Sequence, residues 1–162
     1  MENFTKSALA KQFKLEKEAR RQRKFARHQE TQAYVNEVTK KLFKDNDKLF
    51  QNIGRMMYDK SIFGNKYNCL HHYIRKSQSL NTRWDLENGI PISLKEHCSI
   101  HQGQNSELEG KFIQIKGLVW FDKLIHRKHI IINNKLEFAK SENVRLKEIY
   151  EKLQKDIKNA GV

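Results

Sequence analysis

The sequence has little proline, little glycine and little cysteine. One proline and seven glycines in 162 residues exclude collagen-like and proline-rich disordered chains. Two cysteines, Cys69 and Cys98, are too few for the disulfide framework of a small secreted domain. No apolar run reaches the roughly eighteen residues that a membrane-spanning helix needs. The opening Met1-Glu2-Asn3-Phe4-Thr5 lacks the apolar stretch of a secretory signal, so a reducing compartment and no membrane partner are expected. No internal repeat is found. Acidic residues are also scarce: 19 stand against 32 Lys and Arg, a formal net charge of +13. That excess favours an anionic partner. Nucleic acid is expected ahead of acidic lipid, because no long, strongly apolar helix face accompanies the charge.

What is present is mostly helical in pattern. Residues 1 to about 30 are rich in Ala, Lys, Arg, Gln and Glu, all good helix formers, with few apolar residues. They read as a basic helical arm. Residues 31 to 59 are more amphipathic. Tyr34, Val38 and Leu42 recur on one face, and Leu49, Phe50, Ile53 and Met57 fit a second helix. Asp45-Asn46-Asp47 is expected to break the two apart and to supply an N-cap. Residues 60 to 102 change character. Tyr67 to Ile74 reads as a strand, Arg75 to Glu87 as a polar loop, and Asn88 to Ser93 as a short edge strand with its single Pro91. Leu94 to His101 reads as a helix. Beyond residue 103, helices are expected at Leu118 to Lys128 and from Ser141 onward, the last ending near Asn159-Ala160-Gly161. The expected divisions are 1–59, 60–102 and 103–162.

Four of the seven histidines, His71, His72, His97 and His101, fall within the central segment. His97 and His101 are at i and i+4 and share one helix face, where two imidazoles can grip one divalent ion. His71 and His72 are adjacent on a strand and point to opposite sides. Either pair alone is weak. The order is more telling: His71-His72, Asn88 sixteen residues after His72, His97 nine later and His101 four after that.

This order resembles the HNH nuclease motif, a ββα-metal finger, with spacing like that of the colicin DNase branch. The flanking His72-Tyr73-Ile74-Arg75 and Thr82-Arg83-Trp84-Asp85-Leu86-Glu87-Asn88 are similar to segments of the NinG (Rap) recombination nucleases of lambdoid phages. The paired cysteines usual in NinG-type proteins are absent. The position two before the tandem His, acidic in the colicin branch, is Cys69. The resemblance implies an α+β chain in which a small ββα-metal finger is embedded between a basic N-terminal helical arm and C-terminal helices. It implies a DNA endonuclease of phage origin, working in the bacterial cytoplasm on duplex or branched DNA such as a Holliday junction, and leaving 5′-phosphate and 3′-hydroxyl ends.

By the same resemblance His72 is the general base, Asn88 holds the loop that orients it or, as in some HNH branches, is itself a metal ligand, and His71, His97 and His101 bind one divalent ion. Three imidazoles favour Zn²⁺ or Ni²⁺ for tight binding, with Mg²⁺ or Mn²⁺ supporting turnover. Arg75 and Arg83 are candidates to clamp phosphate. Lys17, Arg20, Arg21, Arg23, Lys24 and Arg27 would track the DNA backbone without reading sequence. Trp84 is expected in the core, with stacking on an unpaired base as its alternative, and Trp120 in the core. His28, His126 and His129 are expected at the surface. Two other functions stay open. One is a non-catalytic zinc module holding its metal with Cys69, His71 or His72, His97, and Cys98 or His101. The other is a phage interaction protein with a vestigial HNH site. The polar N-terminal helices could also pair two copies as a homodimer.

Overall fold

The computed structural model describes residues 2–102 and 105–160, with side chains of all of these except 2–10, 12, 105 and 106. The architecture is α+β and mostly helical. A long helix α1 (Glu2–Met57) is followed by two antiparallel strands, β1 (Cys69–His72) and β2 (Gly89–Ile92). Four helices follow: α2 (Leu94–His101), α3 (Asn105–Lys116), α4 (Leu118–Lys128) and α5 (Lys135–Asn159). A single 3₁₀ turn, Leu86–Asn88, leads into β2. No helix among the described residues is long and apolar enough to cross a membrane.

The chain forms two compact units, residues 1–40 and 41–162. The first is helical from Glu2, and from Phe13 onward nearly all of its side chains are exposed. No glycine or proline occurs before Gly54, so nothing in the covalent chain interrupts the helix.

The second unit holds the core. One apolar cluster joins Phe50 and Ile53 of α1, Tyr67, Leu70 of β1, Trp84, and Ala139 and Leu146 of α5. The other joins Ile74, Ile90 and Ile92 to Ile100 of α2, Phe112 of α3, and Trp120 and Leu124 of α4. The core therefore crosses both boundaries expected from the sequence. Residues 41–57 pack with β1 and α5, and α3 and α4 pack against β2.

The strand pair sits in register with Cys69 opposite Ile92, Leu70 opposite Pro91, His71 opposite Ile90 and His72 opposite Gly89. Alternation along β1 buries Leu70 and His72 and leaves Cys69 and His71 half-buried on the other face. Gln51 of α1 lies along β1: its side-chain amide donates to the Leu70 carbonyl (2.9 Å) and accepts from the Leu70 N–H (3.0 Å). On the far side of β2, the Ile62 N–H donates to the Pro91 carbonyl at 2.7 Å. Gly54 lets β1 approach the helix, since a Cβ there would lie 2.5 Å from Leu70 Cγ and from the Tyr67 hydroxyl.

The expected break at Asp45-Asn46-Asp47 does not occur; α1 runs through it as continuous helix. The three polar residues do not cap a helix because two of them are used in tertiary contacts. Asn46 is fully buried, donates to the Ala139 carbonyl (2.9 Å) and accepts from the Asn143 side chain (2.6 Å). Asp47 is claimed by Arg83, Trp84 and Lys76. Helix α3 has no counterpart among the elements expected from the sequence. Helix α5 begins at Lys135, ahead of Ser141, because Asn134 caps it by accepting from the Glu137 N–H (3.1 Å). Its C-capping residue is Ala160, and Gly161 lies outside the described residues. Strands β1 and β2 and helices α2 and α4 fall where the sequence places them.

Candidate active site

Strand β1 and helix α2 bring together three imidazoles. His71 leaves β1 on its half-buried face, and His97 and His101 share one face of α2. The ring centres of His97 and His101 are 4.7 Å apart. That of His71 lies 5.5 Å from His97 and 6.3 Å from His101. Burial, with the neighbouring rings of His97, His72 and His101 and the charge of Arg75 adding to it, drives the His71 pKa down to about 4. Burial followed by His101 lowers that of His97. These two rings are therefore neutral, with lone pairs to offer, at physiological pH. Among the described residues, no group of three or more His, Cys, Asp or Glu side chains is placed so that it could hold a metal ion.

Helix α2 owes its placement to its first turn. Ser93 and Glu96 form a reciprocal capping box. The Glu96 carboxylate also accepts from the Ser61 hydroxyl (3.0 Å) and the Asn65 amide (2.6 Å). Burial works to raise the Glu96 pKa, but its hydrogen bonds to Ser93, Asn65 and Ser61 outweigh burial and hold it below the usual carboxylate value. The helix start is thus tied to the loop before β1.

Cys69 joins the cluster from the same face of β1, its sulfur 3.2 Å from His97 Nδ1. Burial pushes its thiol pKa up. Cys98 is exposed and does not join it.

His72 points the other way and is 9% exposed. Its ring stacks on Phe50 of α1, with centroids 4.8 Å apart. Nε2 lies 2.8 Å from the Arg83 carbonyl oxygen. A carbonyl can only accept, so Nε2 carries the proton and Nδ1 keeps the lone pair. Burial is the largest influence on His72 and, with nearby Lys76, brings its pKa down to about 4.

Asn88 is fully buried between the strands and the loop that joins them. Its Oδ1 accepts from the Ile74 N–H (2.7 Å), and its Nδ2 donates to the carbonyls of Ile74 (3.0 Å) and Thr82 (2.9 Å). One side chain thereby closes a loop that carries both Arg75 and Arg83.

The two arginines part ways. Arg75 is exposed, and its charge acts on His71. Arg83 is not a free phosphate clamp. Its Nε and Nη2 donate to the two Asp47 oxygens at 3.1 and 2.8 Å, and its guanidinium lies over Phe43 and Trp84. A bidentate, stacked guanidinium of this kind is committed to the protein. Trp84 is fully buried, not available for a base, and Trp120 is buried too. Lys17, Arg20, Arg21, Arg23, Lys24 and Arg27 are exposed along α1. His28, His126 and His129 are exposed.

Sequence reasoning misses the parts played by Asp47 and Phe50. A signal for them exists: Phe43, Asp47, Phe50 and Gly54 recur at helical spacing, so a carboxylate stands in an apolar stripe. A charge in such a place is paired.

No protein-family model matches the chain, and no curated protein or solved structure matches it.

Proposed function

We propose that the chain is a metal-dependent DNA endonuclease of the HNH type, with β1, β2 and α2 as its ββα-metal finger, acting on duplex or branched DNA in the manner of a phage recombination nuclease. The observation that carries this reading is the state of His72. It is a buried, oriented imidazole with one free lone pair, on the strand that also delivers His71 to the His97–His101 pair.

Phosphodiester hydrolysis needs a base for the attacking water and positive charge for the phosphoryl and leaving oxygens. His72 takes the proton at Nδ1. The imidazolium that forms keeps its Nε2–H on the Arg83 carbonyl, whose partial negative charge stabilises it. Asn88 keeps the connecting loop, and so that carbonyl, in place.

His71, His97 and His101 would hold one divalent ion. Two imidazoles on one ion, each bound at about 2.0–2.1 Å, have ring centres about 5 Å apart. The observed separations are 4.7, 5.5 and 6.3 Å, so His101, whose ring is exposed, would have to turn toward the other two to complete the set. When bound there, the ion supplies positive charge against the phosphoryl oxygens and the departing 3′ oxygen. Neutral nitrogen donors suit Zn²⁺ or Ni²⁺ for affinity and leave Mg²⁺ or Mn²⁺ as the weaker, exchangeable ions for turnover. Arg75 steadies the phosphate, and the arm from Lys17 to Arg27 adds affinity without sequence preference. The bacterial cytoplasm is the expected setting.

The test is cleavage of supercoiled plasmid and of a four-way junction, with Mg²⁺, Mn²⁺, Ni²⁺, Zn²⁺ or EDTA. Metal-dependent cutting that drops about 10²–10⁴-fold in folded His72→Ala is expected. A second reading is favoured by the Cys69–His97 contact. In it, Cys69, His71, His97 and His101 close around Zn²⁺ as a structural site. DNA binding and stoichiometric zinc, with no cutting by the wild type, would establish that reading and sink the first.

A further inference from the structure

The Arg83 carbonyl that receives the His72 Nε2–H belongs to the peptide joining Arg83 and Trp84. Both flanking side chains end on one carboxylate. Arg83 Nε and Trp84 Nε1 donate to Asp47 Oδ1 at 3.1 and 2.8 Å, and Arg83 Nη2 and Lys76 Nζ donate to Oδ2 at 2.8 and 3.0 Å. The next carbonyl, that of Trp84, accepts from Arg145 Nη2 at 2.9 Å. The peptide is therefore gripped on both sides by groups that cannot move independently. Phe50, which stacks on His72, is one helical turn beyond Asp47. A single turn of α1 thus fixes the ring plane through Phe50 and the hydrogen-bond acceptor through Asp47.

We propose that Asp47 is a positioning residue for His72: by pinning the Arg83–Trp84 peptide, it fixes which imidazole nitrogen carries the proton and which faces the reaction. The proposal rests on His72 being the general base for its catalytic consequence, but not for the geometric one. A lone structural ion pair would need only Arg83. The carboxylate instead uses one oxygen for both the residue before the carbonyl's peptide bond and the residue after it. Charge matters as well as shape, since an amide in this place would turn an N–H₂ toward donors on one side.

The experiment uses the full-length chain and three variants, Asp47→Ala, Asp47→Asn and Asp47→Glu. The first readout is the His72 tautomer, from ¹⁵N shifts of the ring nitrogens at neutral pH, which needs no substrate. Wild type is expected as a single Nε2–H tautomer. Asp47→Ala and Asp47→Asn are expected as mixtures of the two tautomers, and Asp47→Glu as partly restored. The second readout is plasmid cleavage, where kcat should fall about 10- to 100-fold, as when a group that orients a ligand is removed, with KM little changed. A folded Asp47→Asn protein that retains the pure Nε2–H tautomer overturns the proposal. So does a variant with unaltered kcat, or one whose loss is confined to KM. If Asp47→Ala does not fold, the near-isosteric Asp47→Asn decides. If the wild type cuts nothing, the nuclease reading fails, and the tautomer measurement still settles the positioning role.

Discussion

Gly89 lies directly opposite His72 in the strand pair, and its missing side chain is what allows Phe50 to lie against the imidazole. A Cβ at Gly89 would come 2.9 Å from Phe50 Cζ and 3.2 Å from Leu70 Cδ1. Gly89→Ala should therefore push Phe50 off the His72 ring. The expected cost is about 1–3 kcal/mol, the usual range for overpacking a core, read as a lower urea midpoint with an unchanged slope. A variant as stable as the wild type would show that the ring packing is not tight.

Asn88 makes three buried hydrogen bonds across the loop. Asn88→Ala leaves the Ile74 and Thr82 carbonyls and the Ile74 N–H without that partner, at a cost of about 2–4 kcal/mol for buried groups of this kind. Asn88→Asp should do no better, because its ionised carboxylate cannot donate and would face two carbonyl oxygens. Thermal unfolding of both variants checks this. Near-native stability for Asn88→Asp would contradict the assigned bonding.

The two strand histidines make stability fall on acidification. Each is brought to about 4 in the folded protein from an ordinary value of 6.5. Between those values the unfolded chain binds more protons than the folded one. Their neutral-state stability is thus fully present above about pH 6.5 and is lost as pH falls toward 4. Asp47 adds a second loss at lower pH. Burial works to raise its pKa, but hydrogen bonds from Arg83, Lys76 and Trp84 win and set it below its ordinary 3.8. Its contribution is present above 3.8 and disappears as the pH drops through the lower folded value. Unfolding midpoints from about pH 8 to 3 should slope in this way. A His71→Asn, His72→Asn double variant should be flatter between 6.5 and 4.

The arm offers a separate test. Replacing Lys17, Arg20, Arg21, Arg23, Lys24 and Arg27 by Ala in the full chain should leave the unfolding midpoint nearly unchanged, since all six are exposed. DNA affinity should fall. The slope of log affinity against log salt should shrink by up to about 5, near 0.9 for each phosphate that is no longer neutralised. Fluorescence anisotropy at several salt concentrations measures it. An unchanged slope would remove the arm from the interface.

The local pattern of the site is legible in the sequence because strands and short helices announce themselves in few residues. The Leu94–His101 helix begins at Ser93 with its capping Glu96, and the alternation of Cys69 to His72 sets which histidine faces which side. What is not legible depends on residues distant in sequence. Asp45-Asn46-Asp47 reads as a break when only its neighbours are considered. It continues as helix because Ala139, Asn143, Arg83 and Trp84 receive its polar groups. Arg83 reads as a loose loop cation for the same reason: its partner lies 36 residues away. Sequence spacing finds the imidazoles, but not the carboxylate and the phenyl ring that hold one of them.

A two-stranded sheet ordinarily presents two unsatisfied borders, each a template on which another chain can add a strand. Here neither border is open at its centre. The Gln51 amide occupies both backbone groups of Leu70, while opposite it Pro91 has no N–H to give and its carbonyl is taken by Ile62. The small sheet that carries these histidines is thereby insulated from growth. A second copy of this protein finds no open backbone donor or acceptor at Leu70 or Pro91 on which to add a strand.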